Sequence, residues 1–332
     1  MGQLTVTVAH VGIFTTISAE SISSLLADYN IGELIAVTPL RAGSVNSNFR
    51  ISLTSGDYFL RIYEEQPFEG AKKEAQNIEQ LAHLGVPVAR PLFRQDGGVI
   101  SQLANKPAAI FQWVVGQMIC QRGVREAHLD RVGGALARIH RATVEASLGR
   151  GRFCYEDLVA RTKRIAAAGR EAVEFRGWGE RLEAELLACQ SGRSAELPQG
   201  LIHGDLFRDN VLFRPDREIA ALLDFESASV GTFAYDFMVT LLSWCFGDSF
   251  DENLARALRR GYERERAFEA SERAAMWSEG CFAALRFTVT RITDYAMRAE
   301  EGTCTMKDWR RFRMRYETLQ RIGADGLDRA LA

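Results

Sequence analysis

A chain of 332 residues is long enough to bury a substantial core, either in one large domain or in two lobes. Its 41 basic and 43 acidic residues are intermixed and give a net charge of −2, which excludes the massed positive charge typical of nucleic-acid-binding proteins. Hydrophobic residues make up 47% of the chain, as in ordinary globular proteins, but no stretch approaches the ~20 apolar residues of a membrane span.

Neither the cysteines nor the N-terminus indicates export. Residues 1–17 lack the basic start and the long apolar core of a signal peptide, so we expect an N-terminal extension there. The cysteines are scattered without a C-x-x-C pair, which favours buried free thiols in a reducing cytoplasm over disulfides or a zinc site. They are Cys120, Cys154, Cys189, Cys245, Cys281 and Cys304.

Strand patterns dominate the chain from residue 18 to residue 115. Ser18 is a candidate N-cap for a short helix. Residues 51–53 and 58–63 indicate two antiparallel strands joined by a turn, and residues 108–114 indicate a buried strand. We therefore expect residues 18–115 to form an N-terminal lobe built on an antiparallel sheet.

A loop of small polar residues precedes the first of these strands. Such a loop can lie over phosphates and offer them its backbone N–H groups, so it is a candidate nucleotide-binding element. It contains a single glycine, which leaves an ordinary hairpin turn open as the alternative. The candidate residues are Gly43, Ser44, Asn46 and Ser47.

Two charged and two aromatic residues complete the predicted nucleotide site. Arg61 lies on the second strand, where a kinase-like lobe places a cation against the α- and β-phosphates. Glu74, which we expect to open the following amphipathic helix, is its candidate ion-pair partner, although both residue types are also common on plain surfaces. Phe111 and Trp113 lie on a strand that runs into Gly116, where we predict an adenine-binding hinge.

From residue 116 to residue 332 the pattern becomes helical, and we assign this region to a catalytic and substrate-binding lobe. Strands first and helices later, with the candidate chemistry at the junction, predict a two-lobed α+β fold of the protein-kinase-like type. Apolar residues at helical spacing end at His140, amphipathic helices follow within residues 155–189, strongly apolar helices lie within residues 232–245 and 274–298, and a polar helix is predicted near residues 306–322.

The most informative motif is H-x-D-x-x-x-x-N, which runs from His203 to Asn210 and is followed by an acidic D-F-x element at Asp224. This is the spacing of a phosphoryl-transfer catalytic loop. Asp205 suits the base that orients a hydroxyl for attack on the γ-phosphate of ATP. Asn210 and Asp224 offer the amide and carboxylate oxygens that Mg²⁺ accepts. The motif therefore indicates an ATP-dependent kinase of a small molecule.

Short apolar runs on either side of residues 214–218 strengthen this interpretation. They predict a β-hairpin whose two ends present Asn210 and Asp224 side by side. The alternative is a polar turn before a buried hairpin, with Asp224 as a helix cap. It requires motif and context to coincide by chance.

The chain resembles the aminoglycoside-phosphotransferase-like branch of the protein-kinase-like enzymes. The resemblance rests on His203-Gly204-Asp205, Asn210, Asp224-Phe225-Glu226 and Tyr235-Asp236. Within that branch the chain is similar to the homoserine kinases of bacterial threonine biosynthesis, from about residue 14 to about residue 320. The segments that carry this similarity are residues 45–49, 203–210, 283–287 and 290–294.

The resemblance implies O-phosphorylation of L-homoserine by ATP and Mg²⁺. Asp205 would be the base, and Asn210 and Asp224 the magnesium ligands. His203 would support the loop, and Asp236 would tie the following helix to it. One departure concerns residue 61, where the wider family usually has lysine. The arginine keeps the charge but presents a planar fork to the phosphates.

Two arginines in an otherwise apolar helical segment are candidates for binding the acceptor close to Asp205. They are Arg286 and Arg291. A buried arginine needs a carboxylate, from the protein or from a ligand, and homoserine carries one. An internal Arg291–Asp294 or Arg286–Glu226 pair remains the alternative.

Other acceptors and a non-catalytic role also remain open. Choline or ethanolamine would call for an aromatic cage, to which Trp244, Trp277 and Tyr295 could contribute. An aminoglycoside would call for an open acidic cleft, and a sugar alcohol is a further possible acceptor. The paired arginines argue against cationic acceptors. A pseudokinase binding module would need a lost catalytic element, whereas the motif residues are all present. We expect no nucleic-acid or membrane partner.

Overall fold

The computed structural model describes residues 15–40, 45–142, 151, 153–194, 196–298 and 307–332. The chain divides into two units. The first comprises Met1–Gly116 with Ala220–Glu226, and the second comprises Gln117–Ile219 with Ser227–Ala332. Most of the predicted N-terminal extension and the candidate loop residues Gly43 and Ser44 lie outside the described residues.

An antiparallel sheet forms the frame of the first unit, in the spatial order β1-β2-β3-β5-β4. Ile51, Leu60 and Ile110 on the sheet belong to the same buried cluster as Ile22 and Leu25 of the first helix. The elements of this unit are β1 (Leu34–Pro39), β2 (Ser47–Leu53), β3 (Gly56–Ile62), β4 (Ser101–Leu103), β5 (Lys106–Gln112), α1 (Ala19–Ala27) and α2 (Phe68–His83).

Local chemistry sets where α1 and α2 begin. The hydroxyl oxygen of Ser18 accepts the backbone N–H of Ser21 at 3.2 Å, which confirms the predicted N-cap of α1. α2 begins directly after Pro67, whose fixed φ suits a helix start. The expectation that Glu74 opens this helix is therefore wrong. Glu74 lies in its middle, and its side chain is buried.

Helices dominate the second unit, which confirms the predicted α+β fold with a sheet-rich N-terminal and a helical C-terminal region. A tight turn between β7 and β8 is closed by the N–H of Arg214, which donates to the carbonyl of Glu218. β6 and β9 pair in an antiparallel sheet, and β8 continues into the first unit. The elements are α3 (Glu126–Arg141), α4 (Tyr155–Ala168), α5 (Trp178–Ser191), β6 (Gln199–Ile202), β7 (Val211–Phe213), β8 (Ile219–Leu222), β9 (Ser229–Thr232), α6 (Phe233–Trp244), α7 (Glu252–Glu263), α8 (Ala270–Asp294) and α9 (Arg310–Leu331).

Glycines allow α3 and α7 to pack at very short range. A Cβ on Gly133 would lie 2.1 Å from the carbonyl oxygen of Leu258, and one on Gly261 would lie 2.0 Å from that of Asp130. Only a residue without a side chain permits this approach. The contact fixes the position of α3, whose last turn carries His140.

The five described cysteines are free. Cys189, Cys245 and Cys281 are buried, as expected, but the expectation is wrong for Cys120, which is exposed. Among the helices that the structure describes, none has the length and apolar character needed to cross a bilayer.

Candidate active site

The catalytic motif forms a loop between β6 and β7 that is tied to α6 through Asp236. The backbone N–H groups of His203 and Gly204 donate to the two carboxylate oxygens of Asp236, each at 2.7 Å. The Nε2 of His140 lies 3.0 Å from the same carboxylate, and its Nδ1 lies 2.7 Å from the hydroxyl of Tyr262. The predicted structural role of Asp236 is thus confirmed.

Burial and hydrogen bonding act in opposite directions on Asp236, whose side chain is fully buried. Burial alone would raise its pKa. The hydrogen bond and the positive field of His140, together with the N–H of His203, outweigh burial and hold the pKa below its ordinary value. The ionised carboxylate therefore anchors the loop at neutral pH.

Gly204 adopts a left-handed backbone conformation, with φ at +74°. A Cβ at this position would lie 2.9 Å from the carbonyl oxygen of Ser227. Both the sign of φ and this clearance favour glycine. The turn leads directly into Asp205.

Side-chain donors hold the loop on both sides of the Asp205 side chain. The Nδ2 of Asn210 donates to the backbone oxygen of Asp205 at 2.8 Å. The next carbonyl, that of Leu206, accepts hydrogen bonds from the indole of Trp244 at 2.9 Å and from Ser243 at 3.1 Å. The bond from Nδ2 orients the amide of Asn210. Its Oδ1 has no hydrogen bond within the described part of the chain.

Arg286 lies at ion-pair distance from Asp205, with its Nη1 3.6 Å from Oδ1 of the carboxylate. Arg286 is 4% exposed, and its guanidinium lies over the rings of Phe153 and Phe287 at 4.0 and 3.7 Å. The side chain of Asp205 is 27% exposed. The carboxylate is thus stabilised in its charged form and still accessible to a substrate.

The side chain of Arg291, the second residue predicted to bind the acceptor, contacts a backbone carbonyl and aromatic rings. Its Nη1 donates to the carbonyl of Asp308 at 3.1 Å, and its guanidinium lies 4.4 Å from the centre of the Phe312 ring. Burial lowers the pKa of Arg291 to about 10, although the charge of Asp205 acts in the other direction. The arginine therefore stays charged at neutral pH.

Arg161 was not singled out in the sequence. Its Nη1 lies 2.5 Å from the carboxylate of Asp294, and its Nε donates to Asp157 at 2.9 Å. The Arg291–Asp294 pair considered above is therefore not formed, because Arg161 occupies that carboxylate. The i,i+4 spacing of Asp157 and Arg161 indicates an ion pair within one helix. The sequence does not indicate that Arg161 also contacts Asp294 on another helix.

Lys307 is a further cation that no sequence pattern marked. Its Nζ lies 5.1 Å from the centre of the Tyr295 ring. Burial lowers its pKa, but the effects of Tyr295 and Asp205 outweigh burial and raise it above the ordinary value. The environment of Asp205 is therefore more positive than the sequence indicated.

In the first unit, Arg61 is the centre of the candidate nucleotide site. Its Nη1 lies 3.1 Å from the carboxylate of Glu74 and 3.7 Å from that of Asp224, and its Nε lies 3.4 Å from the side-chain oxygen of Asn48. Burial alone would lower the pKa of Arg61, but the charges of Asp224 and Glu74 raise it above its ordinary value. Arg61 and Glu74 thus form an ion pair, and Asp224 shares the cation.

Asp224 and Glu74 differ in their access to solvent. The side chain of Asp224 is 40% exposed, and its backbone is left-handed, with φ at +62°. Glu74 is buried, and its Oε2 has no hydrogen-bond partner among the described residues. Burial raises the pKa of Glu74 to about 7, although Arg61 acts in the other direction. Asn210 and Asp224 belong to different units, so their predicted juxtaposition stays a prediction.

Glu74 should make the stability of the ligand-free protein pH-dependent. Its pKa in the folded state, about 7, exceeds the ordinary value of 4.5, so the folded state binds this proton more tightly than the unfolded state. The contribution is fully present below about pH 4.5 and is lost as the pH rises through 7. We expect the thermal unfolding temperature of Glu74→Gln, which cannot ionise, to fall less between pH 5 and pH 8. Equal slopes for both proteins would contradict the raised pKa.

The side chains of the candidate loop residues that the structure describes make internal contacts. The Nδ2 of Asn46 donates to Glu226 at 3.1 Å, and its Oδ1 accepts the N–H of Glu64 at 3.2 Å. The hydroxyl oxygen of Ser47 accepts the N–H of Thr15 at 3.1 Å, and its hydroxyl donates to Glu64. A contact of Asn46 or Ser47 with phosphates would therefore use backbone groups, and it stays a prediction.

The two aromatic candidates lie at the end of the sheet. Phe111 on β5 is buried, with its ring centre 6.0 Å from that of Phe59. Trp113, just beyond β5, is half-buried and lies 5.0 Å from the guanidinium of Arg50. A role of either residue in binding adenine stays a prediction.

Comparison with known proteins shows where the chain belongs. A model of the phosphotransferase enzyme family matches residues 36–268. Homoserine kinase of Nitrobacter winogradskyi is 34% identical over 318 residues, which cover 94% of this chain and 95% of that protein. Homoserine kinase of Brucella anthropi is 34% identical over 299 residues, covering 89% of this chain and 90% of that protein.

Solved structures show the same fold at low sequence identity. Amicoumacin kinase in complex with AMP-PNP and Ca²⁺ has a TM-score of 0.71 at 14% identity, over 92% of this chain and 94% of that chain. Spectinomycin phosphotransferase in complex with ADP and spectinomycin has a TM-score of 0.68 at 13% identity, over 92% of this chain and 98% of that chain. The chain therefore belongs to the phosphotransferase enzyme family and is an ATP-dependent kinase of small molecules.

Proposed function

We propose that the protein is a homoserine kinase, which transfers the γ-phosphoryl group of ATP to the hydroxyl of L-homoserine in threonine biosynthesis. The observation that carries this proposal is the accessible carboxylate of Asp205, with the buried Arg286 3.6 Å from it and Arg291 within its electrostatic reach. Relatives named homoserine kinase, similar over most of the chain, support the same acceptor. Because ATP is the donor, we place the reaction in the cytoplasm.

In this proposal Asp205 is the base. Its carboxylate accepts the proton of the acceptor hydroxyl as that oxygen bonds to the γ-phosphorus. The bond from the γ-phosphorus to the bridging oxygen breaks, and ADP leaves. Arg286 favours the ionised form of Asp205 before transfer.

Residues of the first unit would hold the nucleotide. Arg61 is a partly buried, permanently charged group, positioned by Glu74 to contact the α- and β-phosphates. Its planar fork could contact two phosphate oxygens, where a lysine would supply a point charge. The remaining proposed contacts are backbone groups of Gly43, Ser44, Asn46 and Ser47 for the phosphates, and Phe111 and Trp113 for the adenine.

Asn210 and Asp224 carry donor atoms that fit Mg²⁺. The Oδ1 of Asn210 has no other partner in the described structure, because Nδ2 makes the orienting bond to the loop. The carboxylate of Asp224 is 40% exposed and can accept a ligand beside its contact with Arg61. When bound, Mg²⁺ would neutralise charge that develops on the β- and γ-phosphates.

The second unit favours a small acceptor that carries a carboxylate. Arg286 and Gly204, which adjoin Asp205 in space and in sequence, line a cavity of about 530 Å³ that has room for a small molecule. Buried guanidinium groups attract a carboxylate and repel choline or an aminoglycoside. Trp244 cannot contribute to a choline cage, because it is fully buried and its indole N–H is bonded to the catalytic loop.

An acceptor panel tests the proposal. ADP release from ATP-Mg²⁺ is measured with L-homoserine, choline, ethanolamine, a sugar alcohol and an aminoglycoside. We expect turnover with homoserine and values of kcat/KM at least ~100-fold lower with the others, because each leaves buried arginine without an anion. Turnover of choline or of the aminoglycoside at the homoserine rate would contradict the proposal.

A further inference from the structure

Arg315 on α9 is a buried cation for which the described residues supply no anion. It is 7% exposed, and no described residue forms a hydrogen bond or an ion pair with it. Its Nε is enclosed without an acceptor. Among the described residues its charge meets two aromatic rings, those of Phe312 at 4.2 Å and Phe246 at 5.6 Å. Ring faces offset only part of the cost of burying a charge, so part of the burial cost of this guanidinium stays uncompensated.

Neighbouring arginines add to the uncompensated positive charge around Arg315. Arg291 lies over the same Phe312 ring, 4.4 Å from its centre. Burial, reinforced by the positive charges of Arg291 and Arg208, lowers the pKa of Arg315 to about 9. Neither Arg291 nor Arg208 has a carboxylate at ion-pair distance among the residues described. An anion would relieve the repulsion within this arginine cluster, defined as Arg208, Arg291 and Arg315.

The arginine cluster adjoins the catalytic loop. Arg208 belongs to that loop and donates to the carbonyl of Ser243 at 2.6 Å. The Phe312 ring, which both Arg291 and Arg315 contact, packs against Phe207 of the loop with a centre-to-centre distance of 5.8 Å. An anion held by the cluster would therefore lie beside the loop that carries the base.

We propose that Arg315, together with Arg291, binds the α-carboxylate of the acceptor and thereby determines the enzyme's preference for an amino acid. This assignment rests on the proposed homoserine kinase activity. A carboxylate has two oxygens for two guanidinium groups, and planar forks suit that geometry. Arg286 would then keep its contact with Asp205.

Arg313, two residues earlier on the same helix, provides a matched control. It is 5% exposed, and its guanidinium lies 4.9 Å from the Tyr316 ring. Unlike Arg315, it has protein anions, donating to Glu185 at 2.9 Å and to Glu317 at 2.8 Å. The two arginines thus share helix, burial and ring contact, but differ in their partners.

The test compares Arg315→Met with Arg313→Met. We expect Arg315→Met to raise KM for L-homoserine about 10- to 100-fold, leaving KM for ATP unchanged. Its Tm should be equal to that of the wild type or higher, because an uncompensated buried charge is removed. Arg313→Met should lower Tm, because two glutamates lose their partner, and leave both KM values unchanged. Arg315→Lys, which keeps the charge, should give an intermediate KM for homoserine.

An acceptor without a carboxylate tests the contact between Arg315 and the α-carboxylate by itself. With 3-amino-1-propanol, which is homoserine without its carboxylate, wild type and Arg315→Met should have the same kcat/KM. An equal loss with both acceptors, or an unchanged KM for homoserine with a lowered Tm, would overturn the assignment of Arg315 and leave homoserine turnover by the wild type intact. A wild type that does not phosphorylate homoserine would overturn the proposed function and the assignment together.

Discussion

Replacing Asp205 with asparagine is expected to lower kcat about 10³-fold, while the affinity for ATP stays within a few-fold of the wild type. The amide keeps the shape of the side chain but cannot accept the hydroxyl proton, and general-base and positioning effects act mainly in the transition state. ADP release measures the first quantity, and equilibrium nucleotide binding measures the second.

Asp209→Asn is the control for this change. Asp209 lies in the same loop and is exposed, so the substitution removes a negative charge near the site without touching the proposed base. We expect its kcat to stay within a few-fold of the wild type. A similar loss in both variants would mean that charge, and not proton transfer, explains the effect. Near-full turnover by Asp205→Asn would remove Asp205 from the mechanism.

Replacing Asp236 with alanine should lower the free energy of unfolding by about 3–5 kcal/mol, because it removes the buried partner of several groups at once. The N–H groups of His203 and Gly204 and the ring of His140 would lose their common carboxylate. Urea denaturation followed by fluorescence measures the change, and kcat should fall as well, since the loop loses its anchor.

Asp251 offers a matched comparison for Asp236. Its carboxylate also accepts two backbone N–H groups, those of Asn253 and Leu254, but it does so at the exposed N-cap of α7. Asp251→Ala should cost only about 1 kcal/mol, because water can replace a lost cap. Equal costs at the two positions would contradict the argument that burial makes Asp236 important.

Much of the fold could be predicted because burial leaves a periodic trace in the sequence. The alternation along β2 and β3 and the 3.6-residue pattern of α3 are direct results of one face being buried. The start of α2 was misplaced because the apolar pattern does not mark a first turn. Pro67 supplies the start through its backbone, seven residues before the expected first residue, Glu74.

Residues of the candidate site could be predicted only where they belong to a recognisable motif. The roles of Asp205, Asn210 and Asp224 come from spacing and resemblance. For Arg313 and Arg315 the sequence shows only part of the difference. Glu317 lies one turn beyond Arg313 on the same helix, whereas Glu185 reaches Arg313 only through packing between distant segments.

The backbone at Gly204 limits how this loop can change. An arginine there, as in the H-R-D loops of protein kinases, would have to adopt a left-handed φ and displace the carbonyl of Ser227, which leaves 2.9 Å for a Cβ. Conversion between the two loop types is therefore no single substitution. It requires two segments more than twenty positions apart to change in concert, and attempts to redesign this loop would have to rebuild both.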